Sequence, residues 1–171
     1  LTGCSSMSIA AQELVRSSCL EVLQSRVSSL EPLRRSTLVV AGGTGFVGTW
    51  IAEMVATLND KHSFGTQLAL IARGTDQFTA RLPHLSKRRD IRLIKSDVRL
   101  MREFPMEAQW VIHAAASPDV RLHASTPLET MSVILDGTMS VLRLAERLGQ
   151  LKMLLNLSSG LVCGSQPIDL E

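Results

Sequence analysis

The stretch at residues 37–55 reads TLVVAGGTGFVGTWIAEMV. Its apolar run Leu38–Ala41 has the length and composition of a buried β-strand. Three glycines follow at three-residue intervals, Gly42, Gly45 and Gly48, and the apolar residues after them recur at helical spacing. The stretch therefore predicts a strand, a glycine-rich turn and a helix in direct succession.

Glycines in such a strand–turn–helix unit have separate physical roles. One permits the tight turn, one lets the backbone approach a ligand closely, and one lets the helix pack against the strand. The amide groups and the positive dipole end of the helix then form a site for an anion. This arrangement is typical of domains that bind the pyrophosphate of a dinucleotide. The alternative is a glycine-rich turn that binds nothing.

Strand and helix signals alternate along the rest of the chain. The strands are expected at residues 38–41, 67–72, 91–95, 110–114 and 152–158. The helices are expected at residues 8–31, 47–58, 76–82 and 127–148. The strands are almost continuously apolar, which is typical of a parallel sheet covered on both faces. The sequence therefore predicts the α/β class, with a Rossmann-type doubly wound parallel sheet and an N-terminal helical arm.

Two segments are expected along the chain. Residues 1–35 would form an N-terminal tail and helical arm, and residues 36–171 an NAD(P)-binding domain. The arm is expected to pack on the main domain or on another subunit. In the helix at 127–148, the residues expected on the buried side are Met131, Leu135, Met139, Leu142 and Ala145.

The composition argues against several classes of protein. Of the 171 residues, 45% are hydrophobic and 20% are charged, which is typical of a globular domain. The net charge of +2 does not indicate nucleic-acid binding, and no apolar stretch reaches the ~18 residues of a membrane span. Cys4, Cys19 and Cys163 show neither metal-ligand spacing nor a disulfide pattern. We therefore expect no metal site and a reducing, cytoplasmic location.

The end of the second strand bears on the choice between NAD and NADP. An acidic residue at that point bonds the ribose hydroxyls of NAD. Here Arg73 follows the strand, and Asp76 comes slightly later. Since an arginine can pair with a 2′-phosphate, we expect NAD or NADP as the cofactor, with a lean toward NADP. The alternative is that Arg73 is a solvated loop residue.

Four motifs occur in order along the chain. They are GGTGFVG at 42–48, KSDV at 95–98, VIHAAA at 111–116 and LSSGLVCG at 157–164. Together they resemble the extended short-chain dehydrogenase/reductase family, and most of all its NAD(P)-dependent nucleotide-sugar epimerases and dehydratases. The resemblance implies a nucleotide-sugar substrate and a transient transfer of hydride from a sugar hydroxyl to nicotinamide.

The resemblance also implies roles for individual residues. Asp97 and Val98 would contact the adenine, and the alanines at 114–116 would line the nicotinamide side. Ser159 would be the catalytic serine that hydrogen-bonds the sugar, unless it only caps a turn. His113 has either a catalytic role or that of a core histidine. The implied cofactor-binding residues are Gly42, Thr44, Gly45, Phe46, Val47, Gly48, Arg73, Asp97, Val98, Ala114, Ala115, Ala116 and Ser158.

The chain also departs from this family. In such enzymes a tyrosine, and a lysine four residues later, transfer the proton, and the pair comes about two dozen positions after the serine. This sequence contains no tyrosine. Cys163 stands where a tyrosine is usual and is expected to be a small buried hydrophobe, and Ile134 stands where many relatives have asparagine. The resemblance implies an N-terminal part that stops before the tyrosine–lysine pair and the substrate domain.

Three functions follow from these observations. The first is a nucleotide-sugar epimerase or dehydratase, whose 171-residue piece alone would be inactive. The second is an NADPH-dependent carbonyl reductase of the same family, with which Arg73 is compatible. The third is a non-catalytic, dinucleotide-binding regulatory protein. A nucleotide sugar is the expected partner, with no nucleic acid and no membrane, and a homodimer could form through helices such as the one at 127–148.

Overall fold

The sheet is parallel throughout and has five strands. The computed structural model describes residues 8–116 and 120–159. Within them the strands lie in the order β3-β2-β1-β4-β5, and all four neighbouring pairs are parallel. The strands are β1 Thr37–Ala41, β2 Gln67–Ala72, β3 Ile91–Lys95, β4 Ala108–His113 and β5 Met153–Asn156. The five predicted strands and the Rossmann-type fold class are confirmed. The order reverses between β1 and β4, which is where such sheets open a crevice for ligands.

Helices connect the strands, and their bounds differ from the sequence expectation mainly at the ends. They are α1 Ile9–Arg26, α2 Phe46–His62, α3 Thr75–Arg81, α4 Pro83–Ser86, α5 Val120–Ser125 and α6 Pro127–Ala145, with 3₁₀ helices at Val27–Leu33 and Val98–Leu100. The first helix is shorter than expected because its last turns tighten into the 3₁₀ helix that contains Pro32. A proline lacks the N–H that an α-helix needs.

Alternate residues along each strand fill the two sides of the sheet. On one side Val39, Ala41 and Ile71 pack with Val141 and Leu144 of α6. The core of the other side contains Val40 and Leu70 of the sheet, Val55 of α2, and Phe78 and Leu82 from the segment of α3 and α4. Helices therefore cover both faces of the sheet at β1 and β2, as is usual in a parallel sheet, because these two strands are almost entirely apolar on both faces.

The N-terminal helix packs on α2. Leu23 of α1 is fully buried in a small cluster with Leu58 of α2 and Phe64. Cys19, one turn earlier, is also fully buried, and burial raises the pKa of its thiol. Arg34 lies 4.1 Å above the centre of the Phe64 ring. These contacts connect the helical arm to the strand–turn–helix unit rather than leaving it free.

The predicted buried face of the long helix is wrong. Met131, Leu135, Met139 and Leu142 are all exposed, and Ala145 alone of the predicted set is buried. The buried residues of α6 are Gly137, Val141, Leu144 and Ala145. The helix carries two apolar stripes on different faces, and its periodicity alone cannot tell which stripe meets the sheet. The outward stripe is Leu128, Met131, Leu135, Met139 and Leu142.

Membrane-spanning helices and clusters of metal ligands were also sought in the described part of the chain. Among residues 8–116 and 120–159, no helix is long and apolar enough to cross a membrane. The same residues contain no group of three or more potential metal ligands. Cys4 and Cys163 lie outside the described residues.

Gly48 allows α2 to start directly against the turn that follows β1. A Cβ atom on Gly48 would lie 2.3 Å from the carbonyl oxygen of Gly43 and 2.5 Å from its Cα. Because these are backbone atoms, the clash cannot be relieved by rotating a side chain. We expect Gly48→Ala to lower the free energy of unfolding by about 1–3 kcal/mol, the usual cost of overpacking. Urea unfolding followed by circular dichroism measures this difference.

The matched control is Gly149→Ala, because no heavy atom lies within 4 Å of the Cβ position at Gly149. Its effect should stay within about 0.5 kcal/mol, as for most surface substitutions. Equal losses of stability in the two variants would contradict the close packing of α2 on the turn.

Candidate functional site

The turn after β1 is fixed by backbone contacts on two sides. The N–H groups of Gly42 and Gly43 both donate to the carbonyl oxygen of Ile71 in β2, at 2.8 and 3.1 Å. Gly42 has φ +84°, a left-handed conformation that favours glycine. A Cβ atom there would lie 2.5 Å from the carbonyl oxygen of Ala114. The turn therefore lies between the ends of β2 and β4, with no room for a side chain at Gly42 or Gly43.

Gly45 differs from the other glycines of the turn. Its φ of −76° and ψ of −174° are open to any residue, and the one atom within 4 Å of its Cβ position is the Gly42 carbonyl oxygen, at 3.3 Å. It is the N-cap of the 17-residue α2, and no side chain caps that end. The first amide groups of a helix have no acceptor within it, and they lie at its positive dipole end. The fold leaves space beside these amides, which suits an anion.

A cavity of about 560 Å³ opens next to this helix start. Nine of the residues predicted to bind the cofactor line it together: Gly42, Thr44, Gly45, Arg73, Asp97, Val98, Ala114, Ala115 and Ala116. Three strand ends contribute besides the turn after β1, namely those of β2, β3 and β4. The structure thus gathers on one surface residues that are far apart in the sequence.

Five predicted residues lie away from this cavity lining. Phe46 and Val47 are exposed on α2, with the Phe46 ring packed edge-on against Trp50 at 6.4 Å between centroids. Gly48 is buried against Gly43. Ser158 and Ser159 follow β5 and are exposed. The backbone of Phe46 and Val47 still belongs to the first turn of α2, so a contact through their amides is compatible with these positions.

Asp97 is held rigidly at one wall of the cavity. Arg99 donates from Nε to Oδ1 at 3.0 Å and from Nη2 to Oδ2 at 2.8 Å, and its backbone N–H donates to Oδ1 at 2.9 Å. These hydrogen bonds from Arg99 lower the pKa of Asp97 to about 2. Arg99 Nη1 also lies 2.9 Å from Oε1 of Glu129 in α6. Asp97 is therefore ionised at neutral pH, and its carboxylate orientation is fixed.

Arg73, and not Asp76, faces the cavity. Arg73 Nη1 lies 3.9 Å from Oδ2 of Asp97, and the Arg73 side chain is 70% exposed. Asp76 forms an ion pair with Lys95 on the exposed surface and does not line the cavity. The alternative acid for a ribose contact is thus occupied elsewhere, while the guanidinium of Arg73 remains accessible from the cavity.

Sequence reasoning missed the wall that α6 provides. Thr126, Glu129, Thr130 and Val133 line the cavity from the start of this helix. Arg81 of α3 was also missed, and its Nη2 donates to the Thr44 carbonyl oxygen at 3.2 Å. A pattern signal existed only for the helix start, at the Thr126–Pro127 pair, since proline is favoured in the first turn. The approach of α6 to the turn is a tertiary contact without a local signature.

The sequence matches a known protein family over most of its length. The profile of the NAD dependent epimerase/dehydratase family matches residues 38–170. The chain belongs to this family. It is similar to a CDP-glucose 4,6-dehydratase of Salmonella typhimurium strain LT2, with 27% identity over 134 residues. That match covers 70% of this chain and 33% of the relative, so the chain spans about a third of that enzyme's length.

Solved structures show the same fold. The UDP-N-acetylglucosamine 4-epimerase from Methanobrevibacter ruminantium M1, in complex with UDP-N-acetylmuramic acid, aligns with TM-score 0.61 and 20% identity over 80% of this chain and 42% of that one. The UDP-glucuronic acid 4-epimerase from Bacillus cereus, in complex with UDP-glucuronic acid and NAD, aligns with TM-score 0.62 and 17% identity over 77% of this chain and 42% of that one.

His113 of this family member is a buried residue of β4. It is 5% exposed, and its Nε2 lies 3.2 Å from Thr138 Oγ1 of α6. Burial lowers the pKa of His113, so the ring is neutral at neutral pH. Its Nδ1 has no hydrogen-bond partner among the residues that the structure describes. The contact with Thr138 links β4 to α6, and this position fits the core histidine better than a proton donor.

Ile134 gives the cavity an apolar wall near the alanines that follow β4. It is 45% exposed and lines the cavity together with Ala114 and Ala115. A branched aliphatic side chain can exclude water there but has no hydrogen-bonding group. The described part of the site therefore contains the uncapped start of a helix, an ionised carboxylate, an arginine and an apolar wall. A complete set of proton-transfer groups is not among these residues.

Proposed function

We propose that this chain is the dinucleotide-binding part of an enzyme that epimerises or dehydrates a nucleotide sugar with NAD(P). Membership of the NAD dependent epimerase/dehydratase family supports the reaction class. The relatives named for CDP-glucose, UDP-N-acetylglucosamine and UDP-glucuronic acid support a sugar nucleotide as substrate. The observation that carries the proposal is Gly45, which leaves space at the uncapped start of α2 although its own backbone conformation needs no glycine.

Each group in the cavity has a definite task under this proposal. The first amides of α2 hold the pyrophosphate, and Asp97 and Val98 hold the adenine side. Ala114, Ala115 and Ala116 let a flat ring lie against the end of β4, since larger side chains would occupy that space. A dinucleotide held by these residues would supply a hydride acceptor for the sugar carbon. Ser159 hydrogen-bonds the reacting sugar oxygen.

Measurement of dinucleotide affinity tests the proposed phosphate site at the first amides of α2, called the seat below. Gly45→Ala should fold normally, because the new Cβ meets only the Gly42 carbonyl oxygen at 3.3 Å. Because Gly45 lines the cavity, the added methyl group would take up space beside the first amides of α2. We therefore expect NAD and NADP to bind about tenfold more weakly, which corresponds to a loss of about 1.4 kcal/mol of hydrogen bonding to a charged ligand. Calorimetric titration of the intact protein measures both affinities.

Gly149→Ala is the control, with unchanged affinity expected. Turnover of CDP- and UDP-sugars by the intact protein then tests the reaction itself. Epimerised or dehydrated product without net cofactor consumption supports the proposal. Unchanged dinucleotide affinity in Gly45→Ala would contradict the seat, and stoichiometric consumption of NADPH would contradict the epimerase or dehydratase reaction.

We further propose a preference for NADP, carried by Arg73. Its accessible guanidinium at the end of β2 can pair with a 2′-phosphate in the two-pronged geometry that arginine favours. This position also favours the second candidate function, an NADPH-dependent carbonyl reductase. The two reactions differ in cofactor balance, because a reductase oxidises one NADPH for each carbonyl reduced.

Arg73→Ala should weaken NADP binding by about 1–3 kcal/mol, typical of a lost charge-assisted hydrogen bond, and leave NAD nearly unchanged. Arg89→Ala is the matched control, because Arg89 is exposed and does not line the cavity. Competition titration of both dinucleotides against each variant gives the comparison. Equal losses for NAD and NADP would remove the preference.

We also propose that two copies pair through α6. Its outward stripe, Leu128, Met131, Leu135, Met139 and Leu142, is 45–80% exposed and continues over four turns. Contiguous apolar surface of this kind is uncommon on a monomer, and a helix face repeated in two copies can bury itself in a symmetric contact.

Leu135→Glu places a charge at the middle of this stripe and should shift the intact protein from dimer to monomer, measured by analytical ultracentrifugation. Leu14→Glu is the matched control, because Leu14 is 69% exposed on α1, and it should leave the mass unchanged. A monomeric wild-type protein, or a dimer retained by Leu135→Glu, would overturn the pairing.

We propose a cytoplasmic location for the protein. The thiol of Cys19 is buried and free, which suits a reducing compartment. Fractionation of the cells that make the protein tests this, and recovery from a secreted fraction would contradict it.

A further inference from the structure

A second concave surface lies between α6 and the segment that follows β3. It encloses about 500 Å³. Four arginines line it, Arg99 and Arg102 from the segment after β3 and Arg143 and Arg147 from the end of α6. Asp136 is its single acidic residue, so the lining carries a formal charge of +3, four cations less one anion. The whole chain has a net charge of only +2, which makes this a local concentration of positive charge.

The position of the arginines is only partly explained by the fold. A cation near a helix C-terminus interacts favourably with the helix dipole, and this accounts for Arg143 in the last turn of α6. It does not account for Arg102, which lies outside the helix. Within residues 8–116 and 120–159, Arg34, Arg88 and Arg99 form ion pairs with carboxylates, and no such pair involves Arg102, Arg143 or Arg147.

Two features prepare this surface for a ligand. Arg99 is fixed by Asp97 and Glu129, and its side chain is 22% exposed, so one wall is rigid. The carboxylate of Asp136 accepts a hydrogen bond from Ser132 Oγ at 2.6 Å, and among the described residues it forms no ion pair with the neighbouring arginines. The three remaining guanidinium groups have donors to spare.

We propose that this surface binds a small molecule that carries adjacent phosphate groups. Guanidinium groups donate pairs of parallel hydrogen bonds to phosphate oxygens, which makes arginine the preferred residue for such anions. The volume lies within the range of small-molecule sites. The site is separate from the dinucleotide cavity, and the two share no lining residue, whereas Met139 of the outward α6 stripe lies at the edge of this surface.

Calorimetric titration of the intact protein with sodium pyrophosphate tests the site, at constant ionic strength. The double variant Arg143→Gln/Arg147→Gln should weaken the binding at least about tenfold, because two charge-assisted contacts are lost. Arg102→Gln, outside any helix, should weaken it in the same direction. Arg89→Gln/Arg92→Gln removes the same charge from exposed arginines elsewhere and should leave the affinity within about twofold, since charges beyond a Debye length are screened. Thermal unfolding of each variant confirms that it is folded.

Two further arms identify the source of the phosphate and separate the two cavities. A titration with UDP in place of pyrophosphate distinguishes a nucleotide from an inorganic anion. If UDP binds more tightly than pyrophosphate, and the double variant loses that binding, the ligand is a nucleoside diphosphate. If UDP and pyrophosphate bind equally, the surface recognises the phosphates alone. Titration with pyrophosphate in the presence of saturating NAD should give an unchanged affinity at this surface. That affinity is the part of the binding that the Arg143→Gln/Arg147→Gln variant loses. Absence of pyrophosphate binding, an unaffected Arg143→Gln/Arg147→Gln variant, or an equal loss in the Arg89→Gln/Arg92→Gln variant would each overturn the proposal.

Discussion

The contact between the start of α2 and the end of β1 has no room for side chains, and the site depends on this constraint. A Cβ atom on Gly43 would lie 2.8 Å from the side chain of Leu70 in β2, and one on Gly48 would meet the backbone of Gly43. Gly42 closes the turn in a left-handed conformation. Because these residues bring helix and strand into backbone contact, the amides that begin α2 lie at the carboxyl edge of the sheet. Bulkier residues would move the positive end of the helix away from that edge.

The strand order converts this local arrangement into a cavity. The chain leaves β1 toward β2 on one side, and β4 pairs with β1 on the other, so the crevice opens where the order reverses. The opposite wall comes from α6, which packs so closely that a Cβ on Gly137 would lie 2.8 Å from Val98. The ion pairs of Arg99 with Asp97 and Glu129 connect the end of β3 to α6. Packing and charge thus fix the walls before any ligand arrives.

Local patterns predicted the sheet well because each strand is a short apolar run bounded by turn residues, as in QLALIA and IRLIK. The glycine spacing located the turn, whereas the family resemblance supplied Asp97, Val98 and the alanines at 114–116 that line the cavity with it. The prediction of the buried face of the long helix was wrong because both of its apolar stripes have helical spacing. Only tertiary packing decides that Val141 and Leu144 are buried while Leu135 and Leu142 are exposed. The α6 wall and the clamp of Arg99 on Asp97 are contacts between distant segments, which no single-sequence pattern encodes.

The proposed function depends on the first amides of α2, which would bind the pyrophosphate of a nicotinamide dinucleotide. Backbone amide chemical shifts, recorded by NMR while NAD is added to the intact isotope-labelled protein, test this most directly. We expect the largest changes at Gly45, Phe46 and Val47, with smaller changes at Asp97 and Ala115. Unchanged shifts at residues 45–47 under NAD concentrations that perturb other parts of the protein would contradict this binding.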